Sequence, residues 1–406
     1  MDCINCKGKL YKQPLICGKD ICPIFSKTKL FKTKQLNKQE FLGTPPTVFV
    51  GRFNYPKINV GIVSTPEQTI NAEIYDDPRT WGKNKLPIEQ IVDFRSSLIN
   101  SRFQSEVKYN NDLQTTQLIA LSKTPVDTEF SLTKKPHYNF KTAKIESPIG
   151  ATAQLKQAKI TENPKIHQKV DYIYSDTDLK ANQGLNILYN KGFDENFLTR
   201  ILSVGTLGIK KDRKLVPTRW SITAVDDTLG KDKIEQVKKY PEANPTLFHG
   251  NLHGNYYFIL LFPKKWSYEL FETYLPKTLM NPNSILKTTT DFEFYDGRKN
   301  YATNCTGGYY ACRLAILDKL NEMHRQASIL VLRFITDEYH THLGVWICRE
   351  ASRIALNNKI EFPSHEEMIK HTKQTIKQRF NIDIEQFYKQ SKLLDFVTKQ
   401  RSLFEF

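Results

Sequence analysis

The sequence predicts an α+β protein: an irregular mixed α/β body flanked by a small cysteine-rich amino-terminal element and a short apolar tail. Three observations carry that prediction. Helical and strand-like stretches alternate without a regular strand–helix–strand repeat, which argues against a doubly wound sheet. Of the 406 residues, 39% are hydrophobic, enough to bury a substantial core and to exclude global disorder. The longest apolar run, Tyr256 to Phe262, is strand-sized and far below the ~20 residues of a membrane span. The expected organisation is residues 1–25 as the cysteine element, 26–396 as one large body with a candidate sub-boundary near 160–175, and 397–406 as the tail. The opening Met1-Asp2-Cys3 has neither a basic nor an apolar leader pattern, so a cytoplasmic location is expected.

The elements follow in order. Thr47 to Val50 and Ile58 to Val63 read as strands around the turn-like Gly51-Arg52-Phe53-Asn54-Tyr55-Pro56. From Val126 to about Leu155, apolar and polar residues alternate between Pro and Gly breaks, as strands do. Residues 176–202 look helical, with Asp176 or Asp178 as caps. Trp220 to Val225 and Tyr256 to Phe262 read as strands. Between Tyr309 and Ala327, a helical stripe is formed by Cys312, Ile316, Leu320, Met323 and Ala327, and a strand follows at Ile329 to Ile335. Val345 to Leu356 reads as helix, and residues 365–399 as one or two basic helices.

Charge points outward. Lys and Arg number 59 against 43 Asp and Glu, a net charge of +16. A lysine-rich solvated surface accounts for part of this excess. The rest is concentrated: residues 1–40 hold nine lysines, among them Lys7, Lys9 and Lys12, against three acids. A positive field gathered at one end suits a polyanion, and nucleic acid is the usual one.

Four of the seven cysteines, Cys3, Cys6, Cys17 and Cys22, lie in the first 22 residues as C-x2-C and C-x4-C pairs. In a reducing compartment such pairs supply the four thiolates of a structural Zn²⁺ better than they frame disulfides. Gly8 and Gly18 follow the second cysteine of the first pair and the first of the second pair, where the chain must turn about the metal. So short a segment has no core of its own, and its order is expected to depend on the ion. The result is a C4 zinc-finger-like element. Cys305, Cys312 and Cys348 sit in apolar or mixed stretches and read as buried hydrophobes.

The chain ends Gln400-Arg401-Ser402-Leu403-Phe404-Glu405-Phe406. This spacing matches the sliding-clamp (PCNA) interaction motif, Q-x-x-h-x-x-a. A single tight turn would set Leu403 and Phe406 on one side as an apolar plug, while the Gln400 amide reaches a neighbouring groove. Phe404 stands beside them, out of register with the usual aromatic pair.

The body carries several polar-aromatic clusters. Val216-Pro217-Thr218-Arg219-Trp220 leads into Asp226-Asp227; Asp291-Phe292-Glu293 is followed by Gly297-Arg298-Lys299; Thr306-Gly307-Gly308-Tyr309-Tyr310 opens a helix as a candidate anion seat. On the helix beginning near Val345, Trp346, Arg349, Glu350 and Arg353 share one face, so Trp346 can stack a base while Arg349 and Arg353 hold phosphate. The bland alternatives are a cap for Asp226 and Asp227 and an internal pair for Arg353 with Glu350.

These motifs, together with Phe49-Val50-Gly51-Arg52-Phe53, Tyr55-Pro56-Lys57 and Gly344-Val345-Trp346, resemble the archaeal Nre (NreA/NreB) family of DNA repair proteins along nearly the whole chain. The resemblance implies a role in DNA damage repair, a zinc element on the four cysteines, and PCNA binding through Gln400, Leu403 and Phe406. It supplies no catalytic residues. Two expectations follow. One is a repair factor, nucleoid-associated, that holds DNA and docks on the clamp. The alternative is a nuclease or phosphoesterase in which Asp226, Asp227, Asp291 and Glu293 hold Mg²⁺ or Mn²⁺ and Arg219 and Arg298 neutralise phosphate.

Overall fold

The computed structural model describes residues 38–108, 113–137, 150–278 and 280–399. The four amino-terminal cysteines, Lys7, Lys9, Lys12 and the tail 400–406 lie outside the described residues. The chain forms two compact units, one running through Leu229 with Thr341–Leu343, the other taking Gly230–His340 and Gly344 onward. Residues 160–175 lie within the first unit.

The first unit is built on a six-stranded sheet in the order β1-β5-β6-β4-β3-β2. Its strands are β1 (Glu40–Gly43), β2 (Thr47–Val50), β3 (Lys57–Ser64), β4 (Ile99–Glu106), β5 (Thr128–Leu132) and β6 (Ala151–Ile160). All neighbours are antiparallel except β4 and β6. The helices are α1 (Pro78–Lys83), α2 (Ile88–Ser97), α3 (Gln114–Leu121), α4 (Gln168–Ser175), α5 (Ala181–Asn190) and α6 (Glu195–Ser203). Period-two burial aims Val48, Val50, Ile58, Val60 and Ile62 into one core with Ile119, Ala120 and Val204. Phe49, Asn59, Arg102 and Gln104 stand on the opposite, more open face. The helical reading of 176–202 resolves into α5 and α6. Asp176 accepts from the Leu179 N–H, and the α6 cap is Asp194.

One strand expectation fails. Trp220 to Val225 belongs to a helix, α7 (Thr218–Val237). Its β-branched and aromatic residues favour a strand locally, but burial falls at Ser221, Val225 and Leu229, a four-residue period. Tertiary packing overrides propensity here.

The second unit has the sheet order β10-β9-β11-β8-β7-β12. These strands are β7 (Thr246–Leu252), β8 (Asn255–Phe262), β9 (Ser267–Tyr274), β10 (Lys287–Glu293), β11 (Ser328–Ile335) and β12 (Lys359–Glu361). Only β9 and β11 run parallel. Both β8 and β11 are buried along their full length, because helices cover both faces. On one side lie α8 (Gly307–Met323) and α9 (Trp346–Ala355). On the other, α10 (His365–Phe380), α11 (Glu385–Gln390) and α12 (Lys392–Lys399) pack Met368, Ile376, Phe387 and Leu393 on Phe258, Leu260, Leu332 and Phe334. Three helices thus replace the one or two expected after residue 365. The strands at Tyr256 and Ile329 and the helices at Tyr309 and Val345 stand where the sequence placed them.

Candidate nucleic-acid interface

Most of the charged residues that the sequence offered in the second unit are buried or half-buried. Glu293 Oε2 accepts from Arg313 Nη1 at 2.8 Å, and both side chains are at most 1% exposed. Asp291 Oδ1 accepts from Arg298 at 3.1 Å while its other oxygen takes the N–H groups of Asn304 and Cys305 at 2.9 and 2.7 Å. That carboxylate therefore ties down the 298–305 loop, and Arg298 is committed within the protein. Glu272 pairs with the buried Arg333, which also donates to Asn255 Oδ1 at 2.6 Å. Trp346 and Arg349 are buried, and Arg353 lies 2.8 Å from Glu350, the internal pairing that was the bland alternative. Trp346 and Arg349 thus present no surface for a base or a phosphate.

The candidate anion seat at Thr306-Gly307-Gly308 is filled by the protein itself. A Cβ on Gly308 would stand 2.7 Å from Glu272 Oε1 and 3.3 Å from Cys348 Sγ. Glycine serves close helix-on-sheet approach there, and the nearby anion is the chain's own carboxylate. Cys305, Cys312 and Cys348 are buried free thiols, as expected. Burial pushes Cys312 up to about 12, so it is no nucleophile at neutral pH. Asp226 is buried on the inner face of α7 and Asp227 is half-buried. Among the described residues, no three His, Cys, Asp or Glu side chains are grouped so as to hold a metal ion. Asp291 and Glu293, the two expected metal-holding acids of the second unit, are each paired with an arginine.

One buried carboxylate anchors the end of the described chain. Glu269 on β9 accepts from the N–H groups of Lys392 and Leu393 at 3.2 and 3.1 Å and from the Ser391 hydroxyl. Burial raises its pKa, and these hydrogen bonds oppose the rise. The first turn of α12 is held to the sheet in this way, and α12 ends one residue before Gln400.

A group of exposed cations and aromatics lies in the first unit, around the β2–β3 turn and the start of α7. The turn swings outward at Asn54, whose φ of 62° is a left-handed conformation that Asn tolerates. Val50 N–H donates to Thr218 Oγ1 at 2.9 Å, joining the turn to α7. Val107 N–H donates to Pro56 O at 3.1 Å, and Leu215 N–H to Val107 O at 2.9 Å. Three chain segments are thereby laced side by side, bringing exposed Arg52, Lys57, Lys108, Lys214 and Arg219 to one region. Glu106, in register with Lys57, is the acid beside them.

The aromatics lie among these cations. Tyr55 and Trp220 meet with ring centroids 5.7 Å apart at 43°. The Arg52 guanidinium lies 5.0 Å from the Phe53 ring centre, and on the neighbouring sheet face Arg102 lies 5.4 Å from that of Phe49. Burial lowers the Arg102 pKa. Gly61 lies between Phe49 and Arg102 in register, and a Cβ there would stand 2.0 Å from Asn100 Oδ1. A cation in the first turn of a helix opposes the helix dipole, so Arg219 gains nothing from its local position. Clustered cations with interleaved rings can neutralise phosphates and take flat ligands. The sequence had picked out Arg219 and the turn separately; Phe53, Tyr55, Lys108 and Lys214 were missed. The available signal was the unusual Phe-Asn-Tyr-Pro turn, whose aromatics no strand pattern required.

Comparison with known proteins places the chain. The family model described as archaeal Nre, N-terminal, matches residues 16–281, and that described as archaeal Nre, C-terminal, matches residues 293–406. The chain belongs to the archaeal Nre family. It is 34% identical to the DNA repair protein NreB of Archaeoglobus fulgidus over 409 residues, covering 100% of each chain. It is 36% identical to the NreA of the same organism, covering 88% of this chain and 89% of that one. The DNA repair protein NreA of Haloferax volcanii is 34% identical over 78% of each. No solved structure matches this Nre chain. Both the turn with Arg52 and the α7 start with Trp220 fall inside the Nre amino-terminal match, whereas Cys3 and Cys6 precede it. No helix among the described residues of this Nre protein is long and apolar enough to cross a membrane.

Proposed function

We propose that this chain is a DNA repair protein that grips DNA with the basic-aromatic cluster of its first unit and docks on the PCNA sliding clamp through its tail. The carrying observation is the division of charge. Arg313 and Arg333 of the second unit are bound up in buried pairs, while Arg52, Lys57, Lys108, Lys214 and Arg219 stand in solvent on one laced platform. The relatives' names as DNA repair proteins support the process. Because each phosphate neutralised releases counterions, the affinity for DNA should fall steeply with salt. Replacing Arg52 and Arg219 together by Ala is expected to weaken binding across all sequences and to flatten the log–log salt slope by about 0.7–0.9 per cation removed. Fluorescence anisotropy at several salt concentrations reads both quantities. An unchanged slope would remove the cluster from the interface.

The amino-terminal element adds a second basic contact in this reading. Cys3, Cys6, Cys17 and Cys22 form a soft four-thiolate donor set suited to Zn²⁺, and Lys7, Lys9 and Lys12 lie between the two pairs. The ion would supply fold, holding a segment too short for its own core. Elemental analysis should find one zinc per chain, lost when Cys3 and Cys6 are both changed to Ser. Zinc retained in that variant would dismiss this donor set.

A further inference from the structure

Phosphate neutralisation uses the cations of the first-unit cluster but leaves its rings unexplained. Phe53, Tyr55 and Trp220 are 71%, 47% and 48% exposed, a concentration of apolar surface that a protein keeps in water only at a cost. Trp81, Trp266 and Trp346 are all buried, at no more than 7% exposure, so Trp220 is the exposed member of four tryptophans. Nothing in the local fold requires an indole there. The α7 residues that meet the core are Ser221, Val225 and Leu229, on another part of the helix surface.

We propose that Phe53, Tyr55 and Trp220 form a stacking seat for unpaired bases of single-stranded DNA. This inference rests on the DNA-binding reading above and narrows it. A base inside a duplex has both faces covered by its neighbours, whereas an unpaired base offers a free π-face to any ring that meets it. Tyr55 and Trp220 are inclined to one another rather than closed face to face, so each retains ring surface for a ligand. Arg52 beside Phe53 extends the platform with a planar cation that stacks on bases as well as rings. Lys57, Lys108, Lys214 and Arg219 then hold the backbone of the same strand, with Glu106 beside Lys57. Alternation of rings and cations is the pattern of sequence-tolerant single-strand binding.

The test uses the full chain. An oligo(dT) is titrated into it while intrinsic tryptophan fluorescence is followed, and anisotropy gives affinities for labelled single-stranded and duplex DNA. Stacking on Trp220 should quench part of the emission. Trp220→Ala is expected to abolish the quench and weaken single-strand binding about tenfold, with an unchanged circular dichroism spectrum as the control for folding. Trp220→Phe should keep most of the single-strand affinity while losing the quench. Single-strand binding by Trp220→Ala equal to that of the parent, or binding without any quench, overturns the inference. Duplex binding without single-strand binding does the same yet leaves the DNA-binding reading standing. Binding to neither sinks both. An oligo(U) held more tightly than oligo(dT) overturns the commitment to DNA.

Discussion

Glu293→Gln is expected to lower the stability of the second unit by about 3–5 kcal/mol, the usual effect of stranding one partner of a buried ion pair. Arg313 is 1% exposed and donates to Glu293 Oε2 at 2.8 Å, with its guanidinium also near the Tyr310 ring at 5.2 Å. Without the carboxylate, a permanent charge would sit beneath α8 with the Glu293 counter-charge gone. A single substitution of this size is a large part of the net stability of an ordinary domain. The companion test is Arg313→Met with Glu293→Leu, which removes both charges and should recover most of the loss. Urea unfolding followed by fluorescence, in which Trp266 and Trp346 report on this unit, measures both variants. A cost below about 1 kcal/mol for Glu293→Gln would show that the pair does not hold β10 to α8. It would also reopen Glu293 as a residue free for other work.

Removing residues 400–406 is expected to abolish capture by the clamp while leaving the fold intact. Affinity in short peptide contacts is concentrated in a few apolar anchors, and Leu403 and Phe406 are the two this sequence supplies. Losing both should weaken binding on the order of a hundredfold or more. Leu403→Ala alone should cause a partial loss, and Phe404→Ala a smaller one, since Phe404 lies out of register. A pull-down with purified clamp, beside the unfolding curve of the truncated chain, separates lost docking from lost fold. Retained capture would move the clamp contact elsewhere. Glu269 ties the first turn of α12, the last described helix, to the sheet.

How far the sequence could be read depended on what each element faces. Strand β8 was plain because helices cover both its faces, and such a strand must be apolar throughout, as Tyr256 to Phe262 is. Helix α8 was plain because its stripe repeats without interruption. Helix α7 was misread because its buried positions include Ser221, Asp226 and Gly230, which carry no hydrophobic signal, while its exposed face begins with Trp220. The site was misjudged for a related reason. Trp346 was preferred as a base-stacking residue because arginines flank it, yet those arginines serve the interior and the indole is 7% exposed. Charge in a sequence does not say whether its partner is water, phosphate or an acid on another strand. Arg313 and Glu293 lie 20 positions apart on different elements, and only the fold joins them. Trp220, by contrast, acquires meaning only when hydrogen bonds bring the residue 50, 107 and 215–218 segments together.

The account rests on two-point attachment, with the first unit on DNA and the tail on the clamp. The direct measurement is retention of the full chain on primed DNA with and without a loaded clamp, in parallel with the 400–406 deletion and the Arg52→Ala, Arg219→Ala variant. Linking two weak contacts should make the full chain bind clamp-loaded DNA about a hundredfold more tightly than DNA alone. Either alteration should erase most of that gain. Retention that is the same with and without the clamp, or that survives loss of both the tail and the two arginines, would contradict the account.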